Sequence, residues 1–138
     1  MSHLTVNVDG GARGNPGPAA IGVVLRDAEG QVVEEAGETI GEATNNVAEY
    51  RALLRGIELA KAHGAGDLEL IGDSELVVRQ VEGRYKVKNA GMKELHAEVV
   101  RALRGLDSWS IRHVRRAENA DADRLVNEAL DGATAGSG

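Results

Sequence analysis

The hydrophobic pattern of the chain changes at Thr44, and the segments on either side of that change limit the folds it can adopt. Before Thr44, residues 3–9, 19–27 and 30–41 carry apolar runs or alternate apolar with polar residues, and only short turn-like links separate them. This pattern predicts three strands of an antiparallel meander. After Thr44, apolar residues recur at helical spacing until Gly64, which predicts a helix.

The second part of the chain alternates between strand-like and helix-like segments. Strands are predicted at 68–74 and 108–116, and helices at 74–83, 91–106 and 118–132. Hairpins followed by such alternation imply an α/β domain. We therefore expect one five-stranded mixed sheet, three antiparallel strands and then two parallel ones, flanked by helices.

The composition suits a single domain with an aliphatic core. The 138 residues are 42% hydrophobic but only 2% aromatic, and phenylalanine and cysteine are absent. Without cysteine, a disulfide scaffold and a thiolate metal site are excluded. We predict one domain over residues 1–132, and residues 133–138 as a tail or the start of a linker to a fused C-terminal domain. No segment resembles a signal peptide or a membrane span, so we expect a cytoplasmic protein.

The charge balance gives opposing indications about nucleic acid. A net charge of −6 argues against it, because phosphate neutralisation dominates such binding. Local basic patches matter more than the average, however. Two such patches occur: Arg84, Lys86, Lys88 and Lys93 lie in a stretch without acids, and Arg112, Arg115 and Arg116 form a second cluster.

Four acids occupy positions that the predicted fold would bring together. Asp9 and Asp73 end strands that would be parallel neighbours, and open α/β sheets place their sites at that edge. Glu49 and Asp123 each lie about one turn into a helix. Carboxylates held close together repel one another, and a hard cation such as Mg²⁺ or Mn²⁺ would remove that repulsion.

Each of these acids also has an ordinary structural interpretation. Asp9 could form a turn, and Glu49 could be a first-turn acid favoured by the helix dipole. Asp73 could cap a helix, and Asp123 could be a solvated helix acid. The functional interpretation rests on their joint placement.

The motifs around these acids resemble those of one family. They read "DGGARGNPGP" (9–18), "TNNVAEYRAL" (44–53), "GDSELVVRQVEG" (72–83) and "ENADADRLVNEA" (118–129). In this order and at these spacings they resemble ribonuclease H, type 1, over nearly the whole chain. The resemblance is to a short subgroup that lacks the handle and the His loop, and this chain could be the N-terminal domain of a larger fusion.

The resemblance implies an endonuclease that hydrolyses the RNA strand of RNA–DNA hybrids with two Mg²⁺ ions, which Mn²⁺ could replace. It implies 5′-phosphate and 3′-hydroxyl ends. The catalytic and metal-binding acids would be Asp9, Glu49, Asp73 and Asp123, with Asp9 shared by both ions. The substrate-binding residues would be Gly10, Gly11, Asn15, Thr44, Asn45 and Arg116, the asparagines reading ribose 2′-hydroxyls in the minor groove.

The sequence departs from the family pattern at three places. Many relatives carry a His on a mobile loop before the last acid; here His113 falls within a predicted strand, and Arg116 is the candidate for that role. The Trp-rich handle of some relatives is absent, which leaves Lys86 and Lys88 to contact the DNA strand or to lie in a solvated loop. Relatives often have Gln where this chain has Glu75, which cannot donate to a base edge.

Other functions stay open at this level. A non-catalytic nucleic-acid-binding module on the same fold is the main alternative, and a phosphate-ester hydrolase for small nucleotides is a second. A monomer is expected.

Overall fold

The computed structural model describes the backbone of residues 2–137 and the side chains of residues 3–132. Five strands form one sheet: β1 (Ser2–Ala12), β2 (Gly17–Arg26), β3 (Val32–Ala43), β4 (Ala65–Gly72) and β5 (Ser108–His113). The helices are α1 (Asn45–Ala62), α2 (Glu75–Val81), α3 (Ala90–Leu103) and α4 (Ala120–Ser137), and a 3-10 turn at Arg116–Asn119 precedes α4.

The sheet order is β3-β2-β1-β4-β5. The β1–β2 and β2–β3 pairs are antiparallel, whereas β1–β4 and β4–β5 are parallel. The predicted mixed sheet of three antiparallel and two parallel strands is therefore confirmed.

Several predicted boundaries were wrong. Asp9 does not end β1, because the hairpin with β2 continues as far as the Ala12–Ala19 pair. β5 ends at His113 instead of residue 116, since the chain turns into the 3-10 segment there. The last helix starts after that turn, at Ala120, and its backbone continues beyond Gly132 to Ser137.

The caps of the helices follow from short polar side chains. Thr44 caps α1, because its Oγ1 accepts a hydrogen bond from the Val47 N–H at 3.2 Å. Ser74 caps α2 in the same way, accepting from Val77. The cap interpretation of Asp73 is therefore wrong, and its carboxylate is left for another role.

Aliphatic side chains form the core, as the composition predicts. The main cluster lies between the sheet and the helices α1 and α3, and it includes Val6, Val8, Leu53, Ile57 and Val99. A smaller cluster, of Ala20, Val126 and Leu130, lies beneath α4. No helix within residues 2–137 is long and apolar enough to span a membrane.

Two glycines let helices lie directly on the sheet. A Cβ atom at Gly10 would be 2.3 Å from the carbonyl of Ala48 in α1, and one at Gly22 would be 2.2 Å from the Ala122 oxygen in α4. Side chains at these positions would force the helices away from the sheet. Each contact lies beside an acid of interest: Ala48 precedes Glu49, and Ala122 precedes Asp123.

Candidate metal and nucleic-acid site

Three of the four predicted acids meet at one edge of the sheet. The parallel pairing of Val8 with Gly72 places the next residues of the two strands, Asp9 and Asp73, side by side. Glu49 reaches the same point from α1. One carboxylate oxygen of each acid lies within 4.8 Å of those of the other two.

Glu49 is held there by the close approach of α1 to β1. Its Oε1 accepts a hydrogen bond from the Gly10 N–H at 3.1 Å, and its side chain is buried. The alternative interpretation of Glu49, as a first-turn acid favoured by the helix dipole, is wrong, because the first turn of α1 contains no acid.

Asp123 lines the same cavity but is not one of the three acids whose oxygens all lie within 4.8 Å of one another. It lies in the first turn of α4, and its Oδ2 is 3.5 Å from the Asn127 amide nitrogen. Its charge nevertheless acts on Asp9. The structure thus brings the carboxylates of three acids within 4.8 Å of one another and places the fourth in the same cavity, close enough to interact with Asp9.

Asn119 connects the two elements that carry Asp9 and Asp123. It is 1% exposed, and its amide donates to the Val8 carbonyl at 2.9 Å while accepting from Asn7 at 3.0 Å. Val8 directly precedes Asp9, so this side chain fixes the start of α4 against β1. Asn119 belongs to the motif of residues 118–129, but its burial and hydrogen bonds depend on the fold and could not be predicted from that motif.

The electrostatics of the acid group are unfavourable without a cation. Burial is the main cause that raises the pKa of Asp9 to about 7, and the charges of Asp73 and Asp123 add to it, partly opposed by a hydrogen bond from Glu49. Burial and the charge of Asp9 also raise the pKa of Glu49 well above its ordinary value. Protons or a cation must therefore neutralise this group.

The donor set fits a hard divalent cation. The Oδ2 atom of Asp73 is buried and has no hydrogen-bond partner in the part of the chain that the structure describes. A buried carboxylate oxygen without a partner is costly, and a metal ion would satisfy it. Oxygen-only ligands favour Mg²⁺ or Mn²⁺ over zinc.

The cavity above the acids has a volume of about 290 Å³. Among the predicted substrate residues, Gly10, Gly11, Asn45 and Arg116 line it. Asn15 and Thr44 do not line it, but both accept hydrogen bonds from the first residues of α1. The Asn15 Oδ1 accepts from the Asn45 N–H at 3.0 Å, and Thr44 caps α1.

Arg116 and His113 occupy different environments. Arg116 is exposed on the cavity wall, and its side chain has no ion pair or hydrogen bond among residues 3–132. His113 is half-buried in β5 and does not line the cavity. Arg115 is the arginine that pairs with Glu118, at 3.5 Å. The choice of Arg116 over His113 stays a prediction, supported by the position of Arg116 at the cavity.

The sequence also departs from the family pattern at the missing handle, near Lys86 and Lys88, and at Glu75. None of these three residues lines the cavity. Residues 82–89, which include Lys86 and Lys88, form a loop between α2 and α3 without a helical handle. Glu75 is the first residue of α2, and its Oε2 lies 3.8 Å from the Nη2 of Arg79, four residues later on the same helix. A residue missed from the sequence is Arg13, which lines the cavity and is the one cation of the glycine-rich loop.

A five-stranded β3-β2-β1-β4-β5 sheet with acids from β1, α1, β4 and α4 facing one cavity defines the ribonuclease H fold. Residues 7–129 match the family model described as reverse transcriptase-like. The N-terminal RNase H domain of Rv2228c from Mycobacterium tuberculosis, solved as a fusion with maltose-binding protein, superposes with a TM-score of 0.95 at 40% identity, over 100% of both chains. A crystal structure of LC11-RNase H1 in complex with RNA/DNA hybrid gives a TM-score of 0.90 at 45% identity, over 95% of this chain and 99% of the other.

Curated relatives agree with these structures. The ribonuclease HI of Halobacterium salinarum is 50% identical over 91% of this chain, and the ribonuclease H of Erythrobacter litoralis is 34% identical over 95% of it. The chain belongs to the ribonuclease H family, type 1, as its motifs predicted. It spans 63% of the Halobacterium relative, 36% of the bifunctional Mycobacterium tuberculosis protein and 98% of the Erythrobacter one.

Proposed function

We propose that the protein is an endonuclease that hydrolyses the RNA strand of RNA–DNA hybrids and leaves 5′-phosphate and 3′-hydroxyl ends. One observation carries the proposal: three carboxylates lie within 4.8 Å of one another in an open cavity, and one buried oxygen among them lacks a partner. Family membership supports it, as does the relative whose structure contains an RNA/DNA hybrid.

Asp9, Glu49, Asp73 and Asp123 would hold two Mg²⁺ ions, with Mn²⁺ as a substitute. Such ions activate a water molecule and stabilise the charge that develops on the leaving oxygen of a phosphodiester. Asp9, at the centre of the group, would be shared by both ions. Asp123 would serve one ion from the cavity wall, while Glu49 and Asp73 would serve the other.

Asn15 and Asn45 would donate hydrogen bonds to the nucleic acid. The Asn45 Oδ1 accepts from the Ala12 N–H at 2.9 Å, and the Asn15 Oδ1 accepts from the Asn45 N–H. Because both oxygens already accept hydrogen bonds and both residues are exposed, their NH₂ groups would be left to donate to the substrate. These donors suit acceptors such as the ribose 2′-hydroxyl oxygen, which distinguishes RNA from DNA.

The remaining contacts would position the backbone of the hybrid. Gly10 and Gly11 allow a strand to approach the main chain without side-chain bulk. The Thr44 hydroxyl accepts from Val47, and its proton is still available to a phosphate of the DNA strand. Arg116, whose guanidinium is unpaired within residues 3–132, would hold a phosphate at the cavity and assist product release.

Incubation of the protein with a labelled hybrid, with and without Mg²⁺, tests the proposal. We expect cleavage of the RNA strand only, and only with the ion. Asp9→Asn should abolish cleavage and retain hybrid binding, while Asp107→Asn, at an exposed site, serves as the matched control. Binding without cleavage by the wild-type protein would favour the non-catalytic module, and cleavage without metal would contradict the mechanism.

Four further expectations stay predictions. The protein is expected to be a monomer and to lie in the cytoplasm, with one domain over residues 1–132 and a fused domain after it. The fused domain has a parallel in the M. tuberculosis relative, whose RNase H domain is N-terminal.

A further inference from the structure

Two arginines line the acid cavity, and they differ in their side-chain partners within the protein. Arg116 has no side-chain partner among residues 3–132. Arg13 is paired with Asp131 of α4, with 2.6 Å between its Nη2 and the Asp131 Oδ1. The guanidinium of Arg13 is thus neutralised by an acid that belongs neither to the metal group nor to the motifs quoted above.

The position of Arg13 next to the acids is fixed by its backbone. Its N–H donates to the Pro18 carbonyl at 2.8 Å, and the neighbouring Ala12 N–H donates to Asn45. The side chain is less constrained, because 45% of it is exposed. Arg13 can therefore exchange its partner while the glycine-rich loop stays in place.

A strand entering this cavity brings phosphates into a negatively charged region. The cavity is lined by four acids and only two arginines. The whole chain carries a net charge of −6. A phosphate near Arg13 would offer a charge-assisted, bidentate partner. Asp131 is a weak competitor, because its side chain is 69% exposed and exposed ion pairs contribute little.

We propose that Arg13 binds a phosphate of the strand that crosses the acid group, and that Asp131 occupies Arg13 in the free protein. The proposal rests on the hybrid being the substrate. Substrate binding then replaces the Arg13–Asp131 pair with an Arg13–phosphate pair. Asp131 lowers the affinity for the hybrid by this competition and has no part in the chemical step.

Asp131→Asn tests the competition, and the chain offers a matched control. Asp121 lies on the same helix and pairs with Arg26 at 2.7 Å, but Arg26 does not line the acid cavity. We expect Asp131→Asn to tighten hybrid binding about two- to fivefold at low salt, with kcat unchanged. Asp121→Asn should change the affinity by less than about 1.5-fold.

Arg13→Gln tests the phosphate contact by its salt dependence. Loss of one phosphate contact should weaken binding and make the slope of log Kd against log salt shallower by about 0.7–0.9. In the Arg13→Gln background, Asp131→Asn should no longer tighten binding. Binding is measured by fluorescence anisotropy of a labelled hybrid in EDTA, and kcat and KM by cleavage in Mg²⁺.

The outcomes separate this proposal from the proposed function. If the wild type cleaves hybrids but Arg13→Gln keeps the wild-type salt slope, Arg13 makes no phosphate contact and the proposal is overturned. If Asp131→Asn tightens binding equally with and without Arg13, its effect is general repulsion and the competition is overturned. Failure of the wild type to cleave would refute the proposed function, while the anisotropy series would still decide whether Arg13 contacts a phosphate.

Discussion

Replacing Asp9 with asparagine should stabilise the metal-free protein at alkaline pH and leave its stability in acid almost unchanged. Asp9 is 4% exposed, and its pKa in the folded protein is about 7, compared with 3.8 for an ordinary carboxyl. The folded state therefore binds this proton more tightly than the unfolded state does. The free energy of unfolding must fall as the pH rises through the interval between those two values.

The size of the effect follows from the same two values. One pKa unit corresponds to about 1.4 kcal/mol, so ionising this carboxyl costs the folded state on the order of 4 kcal/mol by pH 8. Asparagine has the same shape, carries no charge and can donate to Glu49. We expect Asp9→Asn to raise the free energy of unfolding by about 2–4 kcal/mol at pH 8, or roughly 10 °C in Tm.

Thermal unfolding in EDTA at pH 4, 6 and 8, followed by circular dichroism, measures this. The wild type should lose stability with pH more steeply than Asp9→Asn, and the difference between them should be small at pH 4. The exposed control Asp107→Asn should follow the wild type. Parallel curves for the wild type and Asp9→Asn would show that burial and repulsion at Asp9 are not what the structure indicates.

Three further results are expected. Mg²⁺ should raise the wild-type Tm more at pH 8 than at pH 5, because protons compete for the same oxygens; an equal rise in a dye-based thermal shift assay would count against a carboxylate site. Asn119→Ala should lower the free energy of unfolding in urea by about 2–4 kcal/mol, since the Val8 carbonyl loses its buried donor, and an unchanged midpoint would contradict that bond. Gly22→Ala should cost about 1–3 kcal/mol by urea unfolding because its Cβ would meet the Ala122 oxygen at 2.2 Å, whereas Gly132→Ala, with open space around it, should be neutral or slightly stabilising; similar costs for both would refute the packing argument.

Local pattern was enough to predict most of the architecture. Period-two and helical patterns identified the five strands and four helices that the structure shows within residues 2–137. The errors lie where pairing or packing overrides local signals. β1 passes through Asp9 because β2 continues to pair with it, and Ser74 caps α2 although Asp73 is equally suited by residue type.

The sequence was enough to predict which acids form the candidate site, but not how they are arranged in it. The four acids could be named because strand ends and first helical turns suggested one edge of the sheet. Their arrangement could not, since only the structure shows that three of them lie within 4.8 Å of one another and that Asp123 lines the same cavity without joining that group. Arg13 was missed because nothing in a glycine-rich loop indicates which way a single cation points.

By itself, the sequence determined the order of elements, the aliphatic core and the residue types available for chemistry, because hydrophobic period and side-chain chemistry are local properties. Only the tertiary structure decided which distant groups touch: the shared burial of Asp9 and Glu49, the Asn119 bridge to β1, and the pairing of Arg13 with Asp131. These contacts depend on sheet order and on how closely α1 and α4 approach it. That approach is set by glycines at two positions where any Cβ would collide with a helix backbone.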